Sequence, residues 1–240
     1  MNASAASKPA ESRPEGFVLA GLHAAPDVSG VLWIAAERAL VVADLHLEKG
    51  SAFAERRVML PPYDTAATLA RLTAAIARFN PRVVVALGDS FHDRRAESRM
   101  AEGDRGALRA LTAGRAWVWV SGNHDPEPPR DMGGDAVAEL RVGAVVLRHE
   151  PGGAIGGGAR AEISGHLHPV ARVWSESGST RRKCFVADDT RCVMPSFGAY
   201  TGGLNIRDAA FDALFAREPF AHALGRDRVF RVPLSRCAGD

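Results

Sequence analysis

The sequence predicts an α/β fold, and three observations support this prediction. A run of β-branched and apolar residues over 83–87 is typical of a buried strand. Apolar residues recur at helical spacing from Leu69 to Phe79, and strand and helix patterns alternate as far as residue 120. The second half instead carries short strand patterns separated by turn residues, which is typical of an antiparallel meander.

The composition is that of a globular protein without a strong overall charge. The chain has 240 residues, of which 46% are hydrophobic and 24% are charged, and its formal net charge is +2. Any nucleic-acid binding must therefore come from a local basic patch. Three cysteines without a C-x-x-C pair argue against a disulfide framework and a cysteine-based zinc site. Because neither a membrane-spanning segment nor a secretory signal is visible, we expect a cytoplasmic protein that has no membrane partner.

The first elements can be predicted in chain order. Residues 1–16 are rich in Ala, Ser, Pro and Glu, so we predict a disordered tail. A single domain is predicted over residues 17–240, since neither a repeat nor a linker interrupts them. Residues 31–34 and 39–43 predict a hairpin. The polar segment from Leu47 to Pro61 predicts a loop at the sheet edge.

A helix then begins near Pro61 and stops at Asn80, because Pro is tolerated in a first turn and Asn80-Pro81 ends the pattern. The remaining predicted elements are a helix over 106–111, strands over 117–120, 140–147 and 163–164, three strands near 171–174, 183–186 and 192–194, a weak helix over 208–215 and a closing strand over 229–232. The glycine-rich stretch 152–158 lacks the ending of a phosphate-binding loop, so we predict a connector.

Polar side chains follow five of the predicted strands. They are Asp44 and His46; Asp89; Asn123, His124 and Asp125; His149; and His166 and His168. Open α/β sheets bind ligands at the carboxyl ends of their strands. Residues i and i+2 of an extended segment point to the same side, so Asp44 with His46, and His166 with His168, are each predicted to face one site.

The ligand chemistry predicts a pair of metal ions. Carboxylate, imidazole and amide oxygen suit a divalent ion such as Mn, Fe or Zn. Seven candidates are too many for one tetrahedral zinc, so we expect two ions bridged by Asp89. The candidates are Asp44, His46, Asp89, Asn123, His149, His166 and His168. Two ions about 3.5–4 Å apart form a clamp for in-line displacement at phosphorus, in which a metal-activated water attacks.

A proton donor for the leaving oxygen is the remaining requirement of such a reaction. His124 directly follows the ligand candidate Asn123, and Asp125 stands next to it. We predict His124 as the general acid and Asp125 as the carboxylate that hydrogen-bonds its imidazole and fixes its tautomer.

The motifs Asp-x-His, Gly-Asp, Gly-Asn-His-Asp, a single His and Gly-His-x-His, in this order from Asp44 to His168, resemble those of the calcineurin-like metallophosphoesterase superfamily. The resemblance implies a four-layer α-β-β-α sandwich of two mixed sheets flanked by helices. It implies one metal site formed by Asp44, His46, Asp89 and His168, and a second formed by Asp89, Asn123, His149 and His166. It also implies that His124 is the general acid.

Three further stretches, 44–50, 60–65 and 194–205, look like those of the DNA-ligase-associated, PdeM-type branch of this superfamily. That resemblance implies a Mn-dependent phosphodiesterase or endonuclease acting on DNA or RNA in bacterial DNA repair. Its implied partners are a DNA ligase and a helicase, and a homodimer is compatible with the sequence. His92 departs from the pattern of many relatives, and we interpret it as a loop residue near the site, with a substrate contact as the alternative.

Two other functions remain open at this point. A small-molecule phosphodiesterase or phosphomonoesterase would use the same residues. A non-catalytic scaffold for ligase and helicase is disfavoured by the complete ligand set. A basic and aromatic cluster, formed by Arg172, Arg181, Arg182, Lys183 and Arg191 with Trp174, is explained either by solvated turns or by contacts to a nucleic-acid backbone.

Overall fold

The computed structural model describes residues 16–127, 129, 131–152, 155–175 and 178–240. The predicted tail lies outside the described residues, apart from Gly16, and part of the predicted 152–158 connector lies outside them as well. The described strands form two mixed sheets, as the sequence predicts for the α/β class.

The first sheet contains seven strands in the order of the chain. They are β1 (Phe17–Leu19), β2 (Leu22–Pro26), β3 (Leu32–Ile34), β4 (Ala39–Val42), β5 (Val83–Leu87), β6 (Ala116–Val120) and β7 (Asp135–Val137). Strands β1 to β4 are antiparallel, whereas β4 to β7 are parallel. The carboxyl ends of these parallel strands therefore meet at one edge of the sheet.

The second sheet is built from the rest of the chain. Its strands are β8 (Leu140–Val142), β9 (Val145–Leu147), β10 (Ala161–Ser164), β11 (Pro169–Ser175), β12 (Gly178–Ala187), β13 (Arg191–Val193), β14 (Leu204–Asn205), β15 (Phe220–Leu224), β16 (Val229–Pro233) and β17 (Cys237–Ala238). Strands β9, β10 and β13 are parallel neighbours, and β11, β12 and β13 form the predicted meander. The predicted closing strand is β16.

The helices are α1 (Lys49–Glu55), α2 (Asp64–Phe79), α3 (Ala96–Arg99) and α4 (Glu102–Thr112). Helix α1 occupies part of the segment that the sequence predicts as a loop. A helix of seven residues is marginal alone, and tertiary contacts hold this one. Its first turn is anchored because the Gly50 amide donates to Asp64 and the Glu48 amide donates to Thr65 Oγ1, both over 2.9 Å.

Two hydrophobic cores lie on the two faces of the first sheet. One core joins the sheet to α2 and α4 and contains Leu72, Leu108 and Trp117. The other lies between the two sheets and contains Val85, Leu147 and Phe185. A third cluster covers the far side of the second sheet, where the described covering is the loop and 3-10 turn around residues 206–215 rather than an α-helix.

Two local predictions differ from the structure. The predicted strand 140–147 is divided into β8 and β9, because Gly143 adopts a positive φ of 58° and turns the chain. The predicted helix over 208–215 is limited to a 3-10 turn at Ala209–Phe211. Among the described residues, no helix combines the length and apolarity needed to cross a membrane.

The buried His222 on β15 makes stability depend on pH. Its ring lies 5.1 Å from Phe17, and it pairs in register with Arg231. Burial, with the positive charge of Arg231, lowers the pKa of His222 from 6.5 to about 4. Between these two pH values the unfolded chain binds a proton that the folded chain does not, so stability falls as the pH decreases through this window.

We predict that His222→Phe reduces the loss of stability between about pH 7 and about pH 4.5 by at most ~3 kcal/mol. Urea unfolding of both proteins in the presence of a metal chelator measures this difference. Above about pH 8 the imidazole is neutral in both states and contributes no pH dependence, which provides the internal control. Parallel stability curves across the whole range would contradict the prediction.

Candidate functional site

The strand ends bring the predicted ligands together, but the backbone conformation of these residues differs from the extended one that the sequence predicts. Strand β4 ends at Val42, and both Asp44 and His46 have positive φ angles, of 54° and 44°. His166 and His168 also have positive φ, at 68° and 48°. The expectation of an extended i, i+2 pair is therefore wrong. Left-handed turns aim these side chains, and such turns are disfavoured for residues other than glycine.

The first group of converging side chains consists of Asp44, His46 and His168. The two Nε2 atoms of His46 and His168 lie 3.3 Å apart, and His168 Nε2 lies 3.2 Å from Asp44 Oδ1. Asp44 and His46 are buried, whereas His168 is partly exposed. These three side chains thus present two imidazole nitrogens and a carboxylate oxygen to one position.

The second group consists of Asp89, His149 and His166, with Asn123 next to it. His149 Nε2 lies 3.3 Å from Asp89 Oδ2 and 3.2 Å from His166 Nδ1. The Asn123 amide oxygen lies 2.9 Å from His149 Nε2 and 3.0 Å from His166 Nδ1. His149 Nδ1 donates to the Leu87 carbonyl, which only accepts, so Nε2 is the nitrogen that faces the other side chains of this group.

Asp89 lies between the two groups. Its Oδ2 atom is 3.8 Å from His46 Nε2 in the first group and 3.3 Å from His149 Nε2 in the second. The His124 amide donates a hydrogen bond of 2.9 Å to Asp89 Oδ1 and fixes the carboxylate. This position is the one that a bridging ligand requires.

Burial and neighbouring charges set the protonation of this cluster. Burial lowers the pKa of His46 to about 3, together with the nearby imidazoles, against the opposing effect of Asp89. Burial alone would raise the pKa of Asp89, but the hydrogen bond and charge of His149 lower it to about 2. Burial lowers the pKa of His149, yet the carboxylates of Asp89 and Asp44 outweigh this effect and raise it to about 8. At neutral pH His46 is thus neutral and Asp89 ionised, as metal binding requires, whereas His149 is protonated and would release a proton when a metal ion binds.

Two glycines permit the close approach of these loops. A Cβ atom at Gly165 would lie 2.6 Å from Asp44 Oδ2, a distance at which something must move. A Cβ atom at Gly122 would lie 2.6 Å from Asp125 Oδ1 and would also overlap the backbone of Asp89. The glycine that precedes each of these motifs is therefore required by the packing of the loops around the carboxylates.

His124 lies at the open side of the cluster. Its side chain is 43% exposed, and its Nε2 atom is 4.0 Å from Asp89 Oδ2. Its Nδ1 donates a hydrogen bond of 2.8 Å to the His92 carbonyl, and the two rings stack at 5.5 Å. The sequence predicts His92 as a loop residue near the site. In the structure, its carbonyl fixes the tautomer of His124. A backbone carbonyl leaves no signal in the sequence, so sequence reasoning could not find this contact.

Asp125 does not bind the His124 imidazole as predicted. Its Oδ2 accepts a hydrogen bond of 3.0 Å from the Phe91 amide, while Oδ1 is buried without a partner. Burial raises the pKa of Asp125 to about 7, although the amides of Phe91 and Ser90 act in the opposite direction. The side chain supports the loop after Asp89, because the turn at Gly122 directs it toward that loop.

A loop from the second half of the chain supports Asp44 from behind. The Gly198 amide donates to the Asp44 carbonyl over 3.0 Å. The Lys183 ammonium donates to Ser196 O and Thr201 Oγ1, both over 2.8 Å. Lys183 therefore belongs to the support of the site. Arg191, from the same predicted basic cluster, is buried and pairs with Glu162 at 2.9 Å, so it is not part of a surface patch.

These groups fit a pair of divalent cations. Imidazole nitrogens and carboxylate oxygens converge, those of each group within 4.8 Å of one another, with the Asn123 amide oxygen beside the second group, and the buried carboxylates carry charge that a cation can balance. The predicted ligands Asp44, His46, Asp89, Asn123, His149, His166 and His168 all lie in this cluster.

The family model of the calcineurin-like phosphoesterases matches residues 37–192, which include every predicted ligand. The chain belongs to this family. This calcineurin-like phosphoesterase is accordingly a metal-dependent hydrolase, and its family uses a dinuclear metal centre. The resemblance drawn from the motifs is confirmed at this level.

The solved structures include a similar protein, the nuclease MPE of Pseudomonas putida. It is 27% identical, and the match covers 92% of this chain and 100% of that chain with a TM-score of 0.71. None of the curated proteins matches this phosphoesterase.

We predict that Asp89→Asn weakens the binding of both ions together, because this carboxylate lies between the two groups. Partners outside the metal ligands already contribute about 10- to 100-fold to metal affinity, so we expect a loss of ~100-fold or more. Metal titration followed by elemental analysis measures the loss. Asp93→Asn is the matched control, since Asp93 lies four residues later and pairs with Arg99 at 2.9 Å. Loss of only one ion would contradict a bridging role.

Proposed function

We propose that this chain is a two-metal phosphodiesterase that cleaves nucleic acid, with DNA as the first candidate substrate. The observation that carries the proposal is the pair of ligand groups with Asp89 between them and the exposed His124 beside them. The likeness to a nuclease over 92% of the chain supports a nucleic-acid substrate.

In this proposal, Asp44, His46, Asp89 and His168 hold one ion, and Asp89, Asn123, His149 and His166 hold the other. Two cations in these positions supply Lewis acidity toward a phosphate oxygen and toward the attacking water. Mn is proposed as the physiological metal, because mixed nitrogen and oxygen ligands suit it and the motifs resemble a Mn-dependent branch. Fe and Zn remain compatible with the same ligands.

The protein itself supplies the proton for the leaving group. His124 carries a proton on Nδ1, which the His92 carbonyl holds, so Nε2 is the atom that faces the site. When the imidazole is doubly protonated, Nε2 donates its proton to the departing oxygen. Asp125 acts as a positioning residue, because it holds the Phe91 amide in the loop that follows Asp89.

The motif resemblance also supports a cellular role. We propose that the protein acts in bacterial DNA repair in the cytoplasm, in association with a DNA ligase and a helicase. The buried cysteines Cys184, Cys192 and Cys237 are free thiols, as is usual in a reducing compartment. We also propose that residues 17–240 form a single domain and that the protein forms a homodimer. Size measurement of the purified protein and co-purification with the ligase test the proposed assemblies.

An activity screen tests the proposed substrate. The metal-free protein is incubated with Mn and with other divalent metals, and then with single-stranded DNA, RNA, cyclic nucleotides and nucleotide monophosphates. We expect metal-dependent cleavage of a nucleic acid. Hydrolysis confined to the small compounds would instead favour the small-molecule phosphoesterase. Inactivity on every ester, by metal-loaded protein, would favour a non-catalytic scaffold.

We predict that His124→Ala retains both metals but reduces turnover by about 10²–10⁴-fold for alkoxide leaving groups. The reduction should be much smaller for a nitrophenolate, which leaves without needing a proton. Rates across a series of phosphodiesters with leaving groups of different pKa, with metal content as the control, measure the effect. An equal loss across the series would exclude His124 as the general acid.

A further inference from the structure

The hairpin of β11 and β12 begins directly after the ligand candidate His168. Its register places three pairs of residues opposite one another: Val170 with Lys183, Arg172 with Arg181, and Trp174 with Ser179. Opposed residues and alternate residues of an antiparallel pair share one face. Three cations and a tryptophan therefore lie on the same face of this hairpin, which we call the cationic face (Arg172, Trp174, Arg181 and Lys183).

The cationic face is turned toward the metal-ligand cluster. Phe185, two residues beyond Lys183 on the same face, is buried in the core between the two sheets. Lys183 itself is bonded to the loop that supports Asp44. Arg181 donates a hydrogen bond of 2.8 Å to the Gly203 carbonyl, which follows this loop. The part of the cationic face beyond Lys183 therefore extends the inner surface of the second sheet. It continues that surface beyond the sheet edge at which the site lies.

The opposed arginines indicate that this face binds an anion. Like charges directly opposite on paired strands are destabilising. Arg172 is bonded to neutral oxygens of Ser179 and Gly239, whereas Arg181 pairs with the Asp240 carboxylate at 3.2 Å. The described contacts therefore leave the two guanidinium groups with a net positive charge near solvent. Guanidinium groups match phosphate oxygens well.

Trp174 provides a second, independent observation. Its side chain is 66% exposed, although an indole is among the largest apolar surfaces a residue can carry. It lies on the same face as the arginines and two residues along the strand from Arg172. An exposed aromatic ring beside a basic track is the arrangement on which bases of single strands stack.

We propose that the cationic face binds single-stranded nucleic acid, with Arg172 and Arg181 on backbone phosphates and Trp174 stacked on a base. The proposal rests on the proposed nuclease function, because it names the surface that leads the strand to the same site. Strand β11 rises about 17 Å from Pro169 to Trp174, so the stacked nucleotide lies several positions away from the phosphate that is cleaved.

The test measures binding without turnover. Fluorescence anisotropy with labelled DNA and RNA single strands of about twelve nucleotides, in the presence of a chelator, gives affinities over a range of salt concentrations. The variants are Trp174→Ala, Trp174→Phe and the double variant Arg172→Ala/Arg181→Ala. The matched control is Arg217→Ala/Arg228→Ala, which removes the same charge from two exposed arginines, one paired with Asp189 and one stacked on Phe230.

We expect Trp174→Ala to weaken binding by roughly 5- to 150-fold, the equivalent of one stacked base, and Trp174→Phe to restore most of it. The double arginine variant should lower the slope of log affinity against log salt by about 1.4, that is, about 0.7 for each phosphate. Oligonucleotide should also quench the emission of the wild type more than that of Trp174→Phe, because Trp117 and Trp119 are buried and Trp33 is partly buried, while Trp174 is exposed.

The outcomes separate this proposal from the proposed function. If the wild type binds and cleaves the strand but all variants behave like the control pair, the hairpin proposal is wrong and the nuclease proposal stands. If the variants lose affinity as expected but the wild type cleaves no nucleic acid with any metal, the hairpin proposal stands and the nuclease proposal fails. If the wild type binds neither DNA nor RNA, the hairpin proposal is wrong. Cleavage assays then decide the nuclease proposal separately.

Discussion

The position of the Asp89 carboxylate is the constraint on which the rest of the site depends. It is buried, ionised and within 4.0 Å of imidazole nitrogens from His46, His124 and His149. Such a group is costly to bury unless hydrogen bonds and opposite charges surround it. The loop after β6 provides such a hydrogen bond, because its His124 amide donates to the Asp89 carboxylate. Gly122 in the same loop leaves the space that this amide needs to approach.

The ligand geometry is stabilised by the fold rather than by the local sequence. Five of the predicted ligands, Asp44, His46, Asp89, His166 and His168, have positive φ angles. Such conformations cost of order 1–3 kcal/mol each and persist only where the surrounding structure imposes them. At Asp44, the loop held by Lys183 imposes this conformation. The positive φ angles direct two carboxylates and four imidazoles toward shared positions, which explains why the conformations are retained.

The sequence predicted the parts of this protein that depend on local pattern. Strands ending in polar motifs, the helix from Asp64 to Phe79 and the antiparallel second half all follow from periodicity and turn residues. Helix α1 was missed because hydrogen bonds to Thr65 and Asp64, distant in sequence, hold its start. The contact of His124 with the His92 carbonyl and the turning of Asp125 toward Phe91 were missed for a related reason. Backbone partners and side-chain directions are decided by loops that pack together in three dimensions.

Both sheets contribute side chains to the site, and this has a physical consequence. Asp44, Asp89 and their neighbours follow strands of the first sheet, whereas His149, His166 and His168 follow β9 and β10 of the second. Each ligand group contains residues from both sheets, so the distances within each group depend on the packing of the core between the sheets, where Val85 and Leu147 are buried. Because such cores are close-packed and resist compression, they can hold ligands from two sheets at one fixed spacing. The same core contains Phe185, which continues the cationic face of the β11–β12 hairpin, so the position of this face and the positions of the predicted ligands depend on a single interface.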